Sequence, residues 1–114
     1  MIKIEIQRQK DKIIYFEIKG HANFSEYGED IICAAVSSVG QMTLNGLIET
    51  LNFHKKLKFI EEAGHIICDL KNSKLTDEEL EKADILVESM YSYLKEVAKN
   101  YIDFIKLKEK NLDL

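Results

Sequence analysis

The sequence predicts an α+β domain in which two helices cover one face of a mainly antiparallel sheet of about five strands, in the order ββαββαβ. Apolar and polar residues alternate near both ends of the chain, over residues 2–19 and near residues 102–109, which is typical of strands with one buried face. Two longer segments, residues 31–51 and 77–99, carry apolar residues at helical spacing. These segments predict helices that pack against the sheet.

The strands that precede each helix are predicted to form hairpins. Over residues 2–19 the alternation is interrupted once, by a short polar turn, so two antiparallel strands are expected. Between the two helices, apolar runs at residues 57–60 and 65–70 flank the residues Glu-Glu-Ala-Gly at 61–64. This arrangement predicts a second hairpin with a four-residue turn.

Both helices have a predicted start signal. Asp30 is predicted to be the N-cap of the first helix, since its carboxylate can accept hydrogen bonds from free N–H groups of the first turn. This placement puts Cys33 in that first turn. Thr76 and Glu79 have the spacing of a capping box, in which each residue bonds the other's backbone N–H, and they predict the start of the second helix.

The composition is that of a single globular domain, residues 1–114, with 46% hydrophobic and 32% charged residues. The net charge of −4 is spread along the chain, which disfavours direct nucleic-acid binding. No apolar run is expected to reach the roughly 20 residues of a membrane span, and no leader precedes the first strand. Two cysteines form no disulfide framework. We therefore expect a protein of the reducing cytoplasm with free thiols, no membrane contact and no cofactor.

A histidine and a cysteine twelve residues apart are the candidate catalytic pair. His21 follows Gly20 at the end of the second predicted strand, and Cys33 lies at the start of the first predicted helix. The thiolate is the nucleophilic form of cysteine, and a helix N-terminus stabilises it through the helix dipole and unpaired N–H groups. A neighbouring histidine can take the thiol proton and return it to a leaving amine. The pair therefore predicts a cysteine protease.

Other interpretations of these residues remain open at this stage. Cys33 can be a buried structural thiol, as most free cysteines are. Asp30 can be a helix cap or can orient His21. Ser37, one helical turn beyond Cys33, can hydrogen-bond the thiolate, line the cleft or bond back to its own backbone.

A zinc site is a weaker alternative. His65 and Cys68 are separated by two residues, as metal ligands often are, and together with His21 and Cys33 they would supply four ligands. There is no second pair with matching spacing, so the sequence predicts no metal.

Two motifs resemble one known family. The chain has Gly-His-Ala at residues 20–22 and Tyr-Gly-Glu-Asp-Ile-Ile-Cys-Ala-Ala-Val-Ser at residues 27–37. These motifs, and their spacing, resemble the bacterial ribosomal-processing cysteine proteases, the Prp or YsxB-like family. The resemblance extends over the whole length, with Ile32 in place of the usual valine.

The resemblance implies roles for five residues. His21 and Cys33 match the catalytic dyad of the family. Asp30 and Ser37 match its supporting aspartate and serine, and Gly28 matches a mobile loop that closes over the substrate peptide.

The resemblance also implies partners. Members of the family are homodimers, and their substrate is the N-terminal extension of a large-subunit ribosomal protein, cut after a pair of phenylalanines. A non-catalytic ribosome-associated assembly module is the alternative function, because a fold does not determine an activity.

Overall fold

The element order agrees with the prediction. The computed structural model describes residues 1–20 and 27–113, and of residues 27–30 it gives only the helical backbone. The elements are β1 (Ile2–Gln9), β2 (Lys12–Lys19), α1 (Tyr27–Asn45), a π-helical turn (Gly46–Thr50), β3 (Lys58–Glu62), β4 (His65–Asp69), α2 (Asp77–Asn100) and β5 (Ile105–Asn111). The α+β class and the order ββαββαβ are therefore confirmed.

The five strands form one sheet in the order β3-β4-β2-β1-β5. The two hairpin pairs β1–β2 and β3–β4 are antiparallel, as predicted, and the pair β2–β4 is antiparallel as well. The pair β1–β5 is parallel, with Ile2 opposite Ile105. Because parallel neighbours need a crossover connection, this pairing is decided by how the chain returns through α2 and not by the local alternation.

One face of the sheet forms the core. On β1 and β2 the isoleucines and the phenylalanine that alternate in the sequence are at most 7% exposed, and the charged residues between them lie on the opposite face. The buried residues of this face include Ile2, Ile4, Ile6, Phe16 and Ile18. Both helices pack on this face, since α1 contacts β2 and β4 while α2 contacts β2 and β5.

Helix α1 and the π-helical turn that follows it supply part of the core. By length and composition, residues Ile31–Thr50 are apolar enough to cross a membrane, so the expectation that no run reaches this length was wrong. In the structure, however, this segment packs Val36, Leu44 and Leu47 against the sheet at 1% exposure or less. The core therefore accounts for part of its apolar character, since 39% of the segment is buried.

Helix α2 begins at the predicted capping box. The Thr76 hydroxyl accepts a hydrogen bond from the Glu79 backbone N–H at 3.1 Å, and the Glu79 carboxylate accepts one from the Thr76 N–H at 3.0 Å. Further along, Arg8 of β1 forms a bidentate ion pair with Glu88, with Nη2 2.8 Å from Oε1. The ion pair therefore links α2 to β1.

Candidate active site

The site is built at the end of the sheet where β2 finishes and β4 begins. The turn between β3 and β4 is two residues, Ala63 and Gly64, shorter than the predicted four because the strand ladder continues to the pair Glu62–His65. Gly64 has a positive φ of 74°, and a Cβ there would lie 2.6 Å from the Gly20 carbonyl oxygen. The Gly20 N–H donates to the Gly64 carbonyl at 3.0 Å. Only glycine fits this conformation and this close approach.

Gly20 also touches the candidate nucleophile. A Cβ on Gly20 would lie 3.1 Å from the Cys33 Sγ and 3.3 Å from Ile2 Cγ1. The absence of a side chain at residue 20 therefore lets helix α1 bring its thiol against the backbone at the end of β2. The next residue in the chain is His21.

His21 itself lies outside the described residues, as do residues 22–26. The structure therefore leaves the contact between His21 and Cys33 a prediction. What it establishes is that the residue directly before the histidine packs against the cysteine sulfur. Gly20 and Cys33, thirteen positions apart in sequence, are thus brought together at one end of the sheet by the packing of α1 on β2.

Cys33 is 3% exposed and belongs to the hydrophobic core. It therefore has the burial expected of a structural thiol, and its role as a nucleophile stays a prediction. The Cβ position of Gly20, the residue after β2, lies close both to this sulfur and to Ile2, the first residue of β1.

The predicted start of α1 was wrong by one helical turn. The helix begins at Tyr27, so Asp30 lies inside it and is not the N-cap, and Gly28 lies in its first turn and not in a loop. Cys33 is the seventh helical residue, in the second turn. Because the helix dipole acts mainly within the first turn, it stabilises a Cys33 thiolate less than the sequence argument assumed. The backbone N–H groups that a helix leaves unpaired at its start belong here to residues that precede Cys33 in the sequence.

Ser37 lies where a cleft residue is expected. It is partly exposed and lines a cavity of about 380 Å³ between α1 and the β3–β4 hairpin. Gln41, one turn further along α1, lines the same cavity and donates a hydrogen bond from Nε2 to the Glu61 carboxylate at 2.5 Å. The cavity is referred to below as the hairpin groove.

The four-residue zinc site is excluded by the sheet. Cys68 pairs with Phe16 on the core face, whereas His65 pairs with Lys19 on the open face, where its Nε2 lies 2.5 Å from the Glu17 carboxylate. The two side chains therefore lie on opposite faces and cannot bind one ion. Burial raises the pKa of the Cys68 thiol to about 12, so this thiol is neutral at physiological pH.

Sequence reasoning did not identify the walls of the hairpin groove. Gln41, Glu61 and His65 belong to different elements and form no motif in the sequence. Their proximity depends on how far α1 lies from the edge strand β3. The sequence placed Glu61 in the hairpin turn, whereas in the structure it belongs to β3 and pairs with Ile66.

Comparisons with known proteins cover almost the whole chain. A family model described as cysteine protease Prp matches residues 1–106. The ribosomal processing cysteine protease Prp of Bacillus subtilis is 35% identical over 108 residues, which are 94% of this chain and 96% of that protein. The Staphylococcus aureus protein of the same name is 25% identical over 111 residues, 96% of this chain and 100% of that one.

Solved structures agree with these matches. The crystal structure of SMU.848 from Streptococcus mutans has a TM-score of 0.77 at 30% identity and covers 97% of this chain and 95% of that one. The essential ribosomal processing protease Prp from S. aureus, in complex with a covalently linked product peptide, has a TM-score of 0.73 at 25% identity. That match covers 96% of this chain and 100% of the S. aureus chain.

Proposed function

This chain belongs to the Prp family of cysteine proteases, and on that premise we propose that it removes the N-terminal extension of a large-subunit ribosomal protein. It is a cysteine protease, so the alternative of a non-catalytic assembly module is set aside. The observation that best supports the assignment of the site is the 3.1 Å approach between the Gly20 Cβ position and the Cys33 sulfur. It makes Cys33 the thiol that borders the Gly-His-Ala motif.

In the proposed reaction Cys33 is the nucleophile and His21 is the general acid and base. The Cys33 thiolate attacks the peptide carbonyl carbon and forms a tetrahedral intermediate. His21, protonated, gives its proton to the leaving amine as the C–N bond breaks and a thioester forms. Water then attacks the thioester with His21 accepting its proton, and the carboxylic acid and the thiol are released. The balance of atoms requires only the peptide and water.

Three further residues have proposed supporting roles. Asp30 lies one turn before Cys33 on α1 and is proposed to orient His21, since its position inside the helix removes the competing role of N-cap. Ser37 is proposed to line the peptide-binding cleft. Gly28, in the first turn of α1, is proposed to contact the substrate backbone. Because Cys33 is 3% exposed, binding of the peptide must also open the packing around its sulfur.

The proposed substrate rests on the relatives. The B. subtilis and S. aureus proteins are named ribosomal processing proteases, and the S. aureus structure holds a covalently linked product peptide. A covalent link between enzyme and product is expected for nucleophilic catalysis. We propose the same chemistry here, with cleavage after a pair of phenylalanines, in a cytoplasmic homodimer that needs no metal or cofactor.

A synthetic peptide tests the substrate assignment. It carries the first residues of the large-subunit ribosomal protein precursor from the same organism, including the Phe-Phe pair. We expect the purified protein to cut it once, after the second phenylalanine, and mass spectrometry of the two products identifies the bond. A peptide with both phenylalanines replaced by alanine is the control. Equal cleavage of both peptides, or cleavage of neither, contradicts the proposal.

Thiol labelling tests the choice of cysteine. Iodoacetamide at pH 7 is expected to modify Cys33 much faster than Cys68, because a nucleophile must be reachable and ionised whereas Cys68 is 0% exposed with a pKa of about 12. Peptide mapping by mass spectrometry measures the two rates in the native protein. Denatured protein, in which both thiols are exposed, is the control. Equal slow labelling of the native protein at both positions contradicts the assignment of Cys33.

A further inference from the structure

The face of the sheet opposite the helices carries a group of lysines on β2, β1 and β5. On these strands the residues that alternate with the buried isoleucines lie on the open face. Lys3 pairs with Lys19 on one side and with Lys106 on the other, so three ammonium groups lie side by side across neighbouring strands. Two more lysines follow at every second position of β5. The lysine face consists of these five exposed residues: Lys3, Lys19, Lys106, Lys108 and Lys110.

The row of three lysines is unfavourable for the stability of the sheet. Like charges directly opposite each other on neighbouring strands repel and destabilise the pairing. Lysines on an edge strand such as β5 can be explained by protection against edge-to-edge association. That explanation does not apply to Lys3 and Lys19, because β1 and β2 lie inside the sheet. A row that costs stability without protecting an edge is instead typical of a surface that binds an anion.

Carboxylates of the protein do not neutralise the lysine face. Within the residues that the structure describes, none of its five lysines forms an ion pair. The open face of the same three strands carries two carboxylates, and both bond to other groups. Glu5 accepts a hydrogen bond from Gln7 Nε2 at 2.6 Å. Glu17 accepts one from the Tyr15 hydroxyl at 3.3 Å and lies 2.5 Å from His65 Nε2. This part of the sheet is therefore positive, although the whole chain has a net charge of −4.

The shape of the lysine face fits an extended anion with repeated charges. All of its lysines except Lys110 line a shallow cavity of about 260 Å³. Side chains on one face of a strand repeat about every 6.7 Å and neighbouring strands lie about 4.8 Å apart, so the lysines form a flat grid. One aromatic residue, Tyr15, is partly exposed on the same open face. It lies opposite Gln7, which in turn lies opposite Lys110. Cationic side chains beside an aromatic ring on an open sheet are typical of surfaces that bind single-stranded RNA.

We propose that the lysine face binds the phosphates of a single-stranded RNA and that Tyr15 stacks on one of its bases. The net charge of the chain disfavours nucleic-acid binding by the surface as a whole, so the proposal concerns this face alone. It is independent of the proposed protease function, because Cys33 belongs to the core on the other side of the sheet. Contacts to phosphates carry no sequence information. We therefore expect weak, sequence-independent binding, with a Kd of about 10⁻⁴–10⁻⁶ M at physiological salt.

Fluorescence anisotropy with a labelled oligouridine RNA and the full chain tests this proposal. For each phosphate that a lysine neutralises, the logarithm of the binding constant falls by about 0.7 per tenfold increase in salt. The double variant Lys3→Gln/Lys106→Gln is therefore expected to bind about tenfold more weakly and to lower the salt slope by about 1.4. Tyr15→Leu removes the stacking and is expected to weaken binding about fivefold or more without changing the salt slope.

A second double variant is the matched control. Lys55→Gln/Lys82→Gln removes the same charge from two exposed lysines that lie outside the sheet, and it is expected to bind RNA as the wild type does. The melting temperature of Lys3→Gln/Lys106→Gln should not fall, since the substitutions relieve repulsion within the row. Absence of RNA binding at low salt, or an equal loss in the two double variants, overturns the proposal. Tighter binding to inorganic phosphate or to phosphatidylglycerol vesicles than to RNA also overturns it.

Discussion

Replacement of Cys33 by alanine is expected to reduce kcat/KM on the Phe-Phe peptide by at least about 10⁴-fold, because removal of the nucleophile abolishes the covalent pathway. His21→Ala is expected to cost about 10²–10⁴-fold, since it removes the proton transfer but keeps the thiol. Cleavage is followed by chromatography of the products. Both losses should appear in kcat more than in KM, because neither residue is proposed to supply most of the peptide binding.

Ser38→Ala is the matched control for these variants. Ser38 lies on the exposed side of α1, where its hydroxyl donates to the Ala34 carbonyl at 2.8 Å. It is not part of the proposed site, so this variant should cleave at the wild-type rate. Thermal unfolding of every variant separates loss of catalysis from loss of fold. A folded Cys33→Ala protein that cleaves within tenfold of wild type would show that another group is the nucleophile.

Phe16→Ala is expected to be the most destabilising single change outside the site, by about 3–5 kcal/mol. Phe16 is 0% exposed in β2, the central strand, where it lies opposite Ile6 on one neighbour and Cys68 on the other. The substitution leaves a large cavity between the sheet and both helices. Urea denaturation measures the free energy of unfolding, which for a domain of this size is typically about 5–15 kcal/mol.

The control for this prediction lies on the same strand but on the other face. Lys19 is exposed, and Lys19→Ala should change the free energy of unfolding by no more than about 0.5 kcal/mol. A similar loss in both variants would mean that the two faces of β2 are equally important for stability. That result is incompatible with a sheet covered by helices on one face only.

Several features could be predicted from the sequence because they depend on neighbouring residues. The alternation of Ile2, Ile4 and Ile6 identifies the buried face of β1, and the Thr76–Glu79 pair identifies the start of α2. The motifs around His21 and Cys33 identified the family, which the comparisons confirm. Each of these signals lies within a short stretch of sequence, so a short window is sufficient to recognise it.

The start of α1 shows why local rules are insufficient at the site. Asp30 is a good N-cap by residue type, yet the helix begins at Tyr27, three residues earlier. A capping residue contributes only about 1 kcal/mol, so the packing of a longer apolar helix on the sheet can override it. As a result, Cys33 lies in the second turn and relies less on the helix dipole than its sequence position implied.

The sequence by itself determined the order of the elements, the buried face of β1 and β2 and the membership of the family, because these follow from short-range periodicity and contiguous motifs. Only the tertiary structure decided that β5 runs parallel to β1, that Gly20 lies between Cys33 and Gly64, and that the hairpin groove stays open beside α1. These features join residues 13 to more than 100 positions apart. They depend on how whole elements pack, which no local pattern specifies.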